Sequence, residues 1–222
     1  MLEQHVNEAQ YRAITHGAGA MLVLAGPGSG KTFTVTQRIK YLIEHHHVKP
    51  ENILVITFTK AAATEMQERF VRLNDGRNDP VHFGTFHSVF FQILRRTYKF
   101  TAQNIIREGD KYRLLSQIIS EMPDEIRTES RFDDNSDMLQ GLLSEISTVK
   151  NNGITPQEIR STTVSQAEFE YIFRMYKQEM NRSRLIDFDD MVLLCRDLLV
   201  SRSETLEMWQ DRFQYILVDE FQ

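Results

Sequence analysis

Cysteine is almost absent from this sequence, which has one, Cys195, among its 222 residues. A disulfide needs two cysteines and a cysteine-cluster zinc site needs several, so both are excluded within this chain. Long apolar runs are absent too, since none approaches the roughly 18 residues that a membrane span requires. Residues 1–5 lack the basic segment and the following apolar segment of a secretory signal. These absences lead us to expect a cytoplasmic protein.

An excess of positive charge is also missing. The chain has 26 Lys and Arg against 31 Asp and Glu, a formal net charge of −5. This balance excludes a protein that holds nucleic acid through a uniformly basic surface, so any such contact requires a local groove. With 41% hydrophobic residues, the chain is sufficient for one large or two small domains.

Short apolar runs alternate with amphipathic stretches in the first hundred residues. Such runs, bounded by polar loops, are typical of buried parallel strands, and the helices between them serve as right-handed crossovers. The predicted strands are Met21–Leu24, Ile53–Ile56, Val81–Gly84 and, much later, Tyr215–Val218. The pattern predicts an α/β fold with a parallel sheet.

The middle of the chain has a different pattern. From about residue 102 to 183 no run suits a strand, and apolar residues recur at helical spacing. Two capping boxes are predicted to begin helices, one from Thr155 to Glu158, with Pro156 at the first helical position, and one from Ser165 to Glu168. This part of the chain is therefore expected to be all-helical.

These patterns predict a discontinuous α/β domain. We expect residues 1–101 and 184–222 to form it, with a helical insertion at 102–183. The charged stretch 124–137, inside the insertion, is expected to be a solvated loop.

A glycine-rich segment lies between the first predicted strand and the helix that follows. Its residues are Ala25, Gly26, Pro27, Gly28, Ser29, Gly30, Lys31 and Thr32. This is the position of a P-loop, whose backbone N–H groups surround phosphate oxygens at the positive end of a helix. Lys31 would reach the β- and γ-phosphates, and the Thr32 hydroxyl would bind Mg²⁺. The strict pattern has glycine in place of Ala25, and a Gly/Ser turn that only caps a helix is the alternative.

A pair of carboxylates, Asp219 and Glu220, follows the last predicted strand. Open parallel sheets bind ligands at the carboxyl ends of their strands, so we expect the pair to lie close to Lys31. Hydrolysis of a nucleotide needs one carboxylate to hold hydrated Mg²⁺, which suits Asp219. It needs a second one to orient and deprotonate water, which suits Glu220. Without the P-loop, a solvated acidic loop would explain the pair equally well.

Six segments carry a resemblance to a known family. They are Val6–Gln10, the P-loop, Thr57–Ala63, Gly84–Ser88, Ile186–Asp190 and Val218–Gln222. In order and spacing they resemble superfamily 1A DNA helicases of the UvrD/Rep/PcrA type, which include helicase–nuclease subunits. The resemblance covers almost the whole chain. It implies a RecA-like P-loop fold, the cofactors ATP and Mg²⁺, and movement along single-stranded DNA towards a duplex junction.

The resemblance also implies roles for two glutamines. Gln10 would recognise adenine, because an amide can form two hydrogen bonds with the N6/N7 edge of the base. The simpler alternative is a capping box with Asn7, and both roles are compatible. Gln222 would sense the γ-phosphate and couple it to the DNA site. Together with Lys31 and Glu220 it completes the expected catalytic set.

Two further segments are implied to line the single-stranded DNA track. Their residues are Thr57, Phe58, Thr59, Lys60, Thr85, Phe86, His87 and Ser88. Aromatic faces stack on any base, which suits movement irrespective of sequence, while hydroxyls and the lysine suit phosphates. The alternative is that Phe58 and Phe86 are core residues beside strands.

This chain departs from its relatives in two places. Many relatives have arginine where Phe33 stands, so ring stacking or burial is expected to replace a cation near the base. Relatives also continue into a second RecA-like domain with arginines that close over the γ-phosphate. Without them, we expect the 222 residues neither to hydrolyse ATP well nor to unwind DNA.

The segment Asp187-Phe188-Asp189 fits packing and a helix start at least as well as catalysis.

Two other functions remain open from the sequence alone. A P-loop enzyme of another kind, such as a small-molecule kinase, would use Lys31, Thr32 and Asp219 but leaves both aromatic segments unexplained. A non-catalytic nucleotide-binding scaffold would not require Glu220. Nuclease or repair partners, and a role in DNA repair, are compatible with the resemblance but are not specified by the residues.

Overall fold

The structure is a computed structural model that describes residues 6–127 and 136–221. Within these residues the helices are α1 (Glu8–Thr15), α2 (Lys31–His45), α3 (Lys60–Leu73), α4 (Phe86–Tyr98), α5 (Glu108–Ser120), α6 (Ser136–Asn152), α7 (Gln166–Arg182), α8 (Phe188–Ser201) and α9 (Ser203–Arg212). The strands are β1 (Ile53–Thr57), β2 (His82–Thr85) and β3 (Tyr215–Val218). Three short 3-10 helices are Pro50–Asn52, Ala102–Asn104 and Pro156–Glu158.

The strands form one parallel sheet in the order β2-β1-β3. β1 lies in the centre and every one of its residues is buried, as a run that is apolar on both faces predicts. Because the strands run in the same direction, their carboxyl ends at Thr57, Thr85 and Val218 lie along one edge. Three of the four predicted strands are confirmed, and the fold is α/β with a small parallel sheet.

The prediction of a strand at Met21–Leu24 is wrong. This segment has no regular secondary structure, and its four side chains are exposed, that of Leu24 to 90%. An apolar run becomes a strand only where a neighbouring strand supplies hydrogen bonds to its backbone. Among the described residues no strand pairs with it. The sequence pattern showed an apolar run but could not show whether a partner strand lies beside it.

One apolar cluster joins α2, α3 and the sheet. Its buried members are Ile39, Leu42, Val48, Ile53, Val55, Met66, Phe70 and Val81. Burying a large apolar side chain stabilises a fold by about 1.5–3 kcal/mol relative to exposure. This core fixes α2 and α3 against β1, and with them the segments that precede both helices.

The chain divides into two compact units. One comprises residues 1–89 and 202–222 and contains the sheet, and the other comprises residues 90–201. In its described part the second unit is helical apart from one parallel bridge between Ile105 and Ile186. The limits of the functional domains predicted above stay a prediction.

Helices α5, α6 and α7 supply the core of the second unit, as their apolar spacing predicts. Among its fully buried side chains are Leu115, Leu142, Phe169 and Ile172. Ser165 and Glu168 form the predicted capping box at the start of α7. Thr155 and Glu158 form theirs too, but it opens only a three-residue 3-10 helix rather than an α-helix.

Two further sequence features have a limited counterpart in the structure. Residues 124–127 of the charged stretch form a turn with mostly exposed side chains, as predicted, and residues 128–135 lie outside the described residues. The predicted loop is wrong at residues 136 and 137, which begin α6. Across the described ranges, no helix combines the length and the apolar composition of a membrane span.

Candidate nucleotide and nucleic-acid site

The glycine-rich segment turns tightly before α2. The backbone N–H and the hydroxyl of Ser29 both donate to the carbonyl oxygen of Gly26, at 3.3 and 2.7 Å. Gly28 and Gly30 have φ angles of 74° and 81°, where a side chain would be strained. Gly30 is the N-cap of α2, and a glycine brings no side chain to cover the first N–H groups. The start of α2 is therefore open to an anion.

Lys31, at the end of the glycine-rich segment, lies next to Glu220 of the acidic pair. Lys31 is the first residue of α2, and its Nζ is 3.8 Å from Oε1 of Glu220. The two side chains are 40% and 43% exposed, so this ion pair contributes little to folding stability. Its charges remain accessible to a ligand. The predicted approach of Lys31 to the acidic pair is confirmed, whereas a shared ligand stays a prediction.

The backbone that follows β3 positions the acidic pair. The N–H of Asp219 donates to the carbonyl oxygen of Ile56 at 2.8 Å, which continues the pairing of β3 with β1. Glu220 then adopts a φ of 59°, a left-handed conformation that costs a non-glycine residue about 1–3 kcal/mol. This turn leaves the Glu220 carboxylate beside Lys31. Gln222, the predicted γ-phosphate sensor, lies outside the described residues.

The oxygen groups at this edge suit Mg²⁺ bound together with phosphate. Mg²⁺ usually takes one or two protein ligands and completes its shell with phosphate oxygens and water. Thr32, in the first turn of α2, offers a hydroxyl, and the half-buried Asp219 offers a carboxylate. In the described part of the chain, no group of three or more His, Cys, Asp or Glu is placed to hold a metal alone. The donor set therefore suits a metal that arrives with a nucleotide.

Gln10 links the first helix to the P-loop. Its backbone N–H donates to the Asn7 side chain at 2.8 Å, and its Oε1 accepts from the Asn7 N–H at 3.1 Å, which confirms the capping box. Its Nε2 donates to the carbonyl oxygen of Ser29 at 3.1 Å. The amide is thus beside the P-loop, but both of its ends already have protein partners. Recognition of adenine stays a prediction and would require these bonds to exchange.

Arg38 is a residue that sequence reasoning did not identify. Its side chain is 9% exposed although it lies on α2 between polar and apolar positions. The signal was its spacing, since Arg38 lies three residues after Val35 and four before Leu42, on the apolar stripe of an amphipathic helix. A charged residue at such a position usually has specific partners, since burial of an unpaired charge is costly.

The two aromatic segments leave the sheet side by side. Thr57 and Thr85 are register partners at the ends of β1 and β2, so the residues after them follow adjacent strands. Phe58 is 75% exposed, His87 is exposed and Phe86 is half-buried. The alternative, that both phenylalanines are core residues, is wrong for Phe58.

The hydroxyls of these segments have local partners. Thr57 is fully buried and donates to the carbonyl oxygen of Thr59 at 2.9 Å. The Thr59 hydroxyl accepts from the N–H of Ala62 and caps α3. Thr85 and Ser88 hydrogen-bond each other reciprocally. These bonds shape the loops, and direct contact of the hydroxyls with DNA stays a prediction.

Three helices begin near this edge of the sheet. α2 starts at Lys31, α3 at Lys60 and α4 at Phe86, each shortly after the glycine-rich segment or a strand end. Helix N-termini carry partial positive charge and attract anions. A chain of net charge −5 can therefore still present a locally favourable surface to phosphates.

The segment at the start of α8 has a structural role. The N–H of Asp187 donates to Asp190 and the N–H of Asp190 donates to Asp187, a reciprocal cap. Nζ of Lys150 lies 2.7 Å from Asp187 and 2.9 Å from Asp190. Burial disfavours the charge of Lys150, but the two carboxylates raise its pKa. Of the two roles that the sequence left open, the helix start and packing are what these contacts show.

Comparison with known proteins agrees with this geometry. Residues 6–222 match the model of the UvrD/REP helicase N-terminal domain. The chain is 33% identical to the ATP-dependent DNA helicase PcrA of Staphylococcus aureus and 34% identical to that of Staphylococcus epidermidis, over 100% of this chain. It is 32% identical over 98% of its length to a Bacillus subtilis protein named putative ATP-dependent DNA helicase YjcD. The chain spans 28–30% of the length of these relatives. It belongs to the UvrD/REP helicase family, within the part that corresponds to the N-terminal domain.

Proposed function

We propose that this chain forms the Mg·ATP-binding part of an ATP-dependent DNA helicase, together with part of its single-stranded DNA track. The observation that carries the proposal is the 3.8 Å approach of Lys31 to Glu220. It joins a phosphate-binding loop to a carboxylate pair at the carboxyl edge of a parallel sheet, where nucleotides bind in α/β folds. A RecA-like P-loop fold is part of this proposal.

The nucleotide is held in this proposal by groups from two loops. Backbone N–H groups around Gly28 and Gly30 bind phosphate oxygens, and Lys31 binds the β- and γ-phosphates. Thr32 and Asp219 would hold Mg²⁺, which would neutralise charge on the phosphates. The site would prefer adenine once the Gln10 amide exchanges its hydrogen bond with Ser29 for hydrogen bonds with the base. The phosphates would also be contacted by the other residues of this loop, Ala25, Gly26, Pro27 and Ser29.

Glu220 acts as the general base in the proposed hydrolysis. Its carboxylate lies beside Lys31. Lys31 would pair with the triphosphate, and Glu220 would orient a water molecule and accept its proton. Gln222 would couple the γ-phosphate to the DNA site.

The DNA track follows the two aromatic segments. Phe58, which is 75% exposed, stacks on a base, and Phe86 and His87 extend the stacking surface. Lys60 and the helix N-termini attract phosphates, with Thr59, Thr85 and Ser88 close by. Thr57 is buried, so its contribution is to hold the Phe58 loop.

Unwinding of duplex junctions is proposed for the whole protein. The chain spans 28–30% of the length of its relatives. In the proposed mechanism, a second RecA-like domain closes over the γ-phosphate and supplies an arginine. Loss of such an arginine costs about 10³–10⁵ in rate. Residues 102–183 would form the helical insertion of the first domain.

Titration of a labelled oligo-dT with the purified chain tests the nucleic-acid half of the proposal. We expect binding at low salt, with log K falling linearly as log salt rises, by about 0.7 per neutralised phosphate. Binding of Mg·ATP is measured on the same sample. A chain that binds Mg·ATP but no oligo-dT at low salt would instead be a P-loop protein that acts on another substrate.

A further inference from the structure

Arg38 lies on the helix that begins with the P-loop lysine. It comes about two turns after Lys31 on α2. Its side chain is 9% exposed, and burial lowers the pKa of its guanidinium. No carboxylate of the described residues lies within ion-pair distance of it. A buried cation without an acidic partner needs another source of compensation.

That compensation comes from the carboxyl end of α1. Nη1 of Arg38 donates to the carbonyl oxygens of Ala13, Ile14 and His16, at 3.1, 3.2 and 2.8 Å. The last carbonyls of a helix have no partner within the helix and carry its partial negative charge. One guanidinium therefore satisfies several of these groups at once.

Gln10 lies on the same short helix. α1 is only eight residues long, so fixing its carboxyl end also constrains its amino end. Ala13 and Ile14 are buried, while Gln10, one turn earlier, donates to Ser29 of the P-loop. α1 is thus attached to α2 at one end and to the P-loop at the other.

We infer that Arg38 is a positioning residue for base recognition, docking α1 on α2 so that the Gln10 amide is held at the nucleotide site. The inference rests on the proposed function, because it requires Gln10 to contact adenine. The phosphate contacts of Lys31 and the base contacts of Gln10 then both depend on α2. Arg38 affects selectivity for the base without touching the nucleotide.

Nucleotide binding by the 222-residue chain tests the inference. Dissociation constants are measured for Mg·ATP, Mg·GTP and Mg·tripolyphosphate with wild type, Arg38→Met, Arg38→Lys and Gln10→Ala. The matched control is Arg12→Met, which removes an exposed arginine from α1. We expect Arg38→Met to lower the ATP-over-GTP preference about tenfold, the size of a lost pair of base hydrogen bonds. Affinity for tripolyphosphate should change less than twofold, Arg38→Lys should restore part of the preference, and Arg12→Met should match wild type.

The double variant Gln10→Ala/Arg38→Met separates the possible failures. If Arg38 acts through Gln10, its replacement has no further effect on base preference once Gln10 is gone. A chain that binds no nucleotide, or a Gln10→Ala variant with wild-type preference, contradicts the proposed function. A normal Gln10→Ala effect beside unchanged preference in Arg38→Met overturns only the role of Arg38.

Hydrogen exchange covers the case in which Arg38→Met fails to fold. We expect amides of α1 to exchange faster in Arg38→Met while those of β1 keep their protection. If the amides of β1 also exchange fast, Arg38→Met is unfolded, and the inference is then tested with Arg38→Lys. A folded Arg38→Lys chain with faster exchange in α1 but undiminished base preference would overturn the inference.

Discussion

Replacing Glu220 with glutamine should reduce ATP turnover by about 10²–10⁴-fold, the contribution of a general base. Turnover is to be measured with single-stranded DNA present, in a longer chain that includes the second RecA-like domain proposed above. The amide keeps the size of the side chain but cannot accept a proton from water. Affinity for Mg·ATP should stay equal or rise, because the Glu220 charge beside Lys31 repels a triphosphate and competes for the lysine.

The control for this result is Glu207→Gln, which removes a carboxylate from an exposed position on α9. Neither substitution should change folding stability by more than a few tenths of a kcal/mol, since exposed charges contribute little. Unchanged turnover in Glu220→Gln would remove Glu220 from its proposed role. Loss of ATP binding in the same variant would indicate that it shapes the loop instead.

Replacing Phe58 with alanine should weaken binding of oligo-dT by about 5- to 150-fold. Stacking of a base on an aromatic ring contributes about 1–3 kcal/mol by alanine substitution. Phe58 is 75% exposed on the loop between β1 and α3, so its removal creates no cavity and stability should change by less than about 0.5 kcal/mol. The measurement is fluorescence anisotropy across a range of salt concentrations.

The salt dependence distinguishes stacking from charge. Phe58→Ala should shift affinity equally at all salt concentrations, whereas Lys60→Ala should reduce the slope of log K against log salt by roughly 0.7. Phe58→Trp keeps an aromatic face and should bind close to wild type. Wild-type affinity in Phe58→Ala, or a loss explained entirely by unfolding, would exclude a base-stacking role.

Local chemistry explains why much of the fold was predictable. The capping boxes at Asn7 and Ser165 depend on residues three apart, which the sequence shows directly. β1 is apolar on both faces because it is central, and that pattern requires no knowledge of the neighbours. The approach of Lys31 to Glu220 was predicted from parallel topology, but only Glu220 follows a strand of the sheet. Lys31 is placed by the packing of α2 against β1.

What could not be predicted depends on partners distant in sequence. Met21–Leu24 has a strand-like composition, but pairing depends on whether another strand lies beside it. Arg38 donates to carbonyl oxygens 22 to 25 positions earlier in the chain, and the spacing within α2 does not show such partners. The Thr57 hydroxyl faces inward because its loop turns at Thr59, and the left-handed backbone of Glu220 is a property of the turn after β3.

The dependence of ATP binding on Mg²⁺ tests most directly whether the two loops share one metal–triphosphate. Binding of ATP is measured with and without Mg²⁺ for wild type, Asp219→Asn and, as the matched exposed control, Asp211→Asn on α9. Mg²⁺ should tighten binding in wild type and in Asp211→Asn, and most of that gain should be lost in Asp219→Asn. An Asp219→Asn chain with the full wild-type response to Mg²⁺ would show that the acidic pair and the P-loop do not hold the same metal.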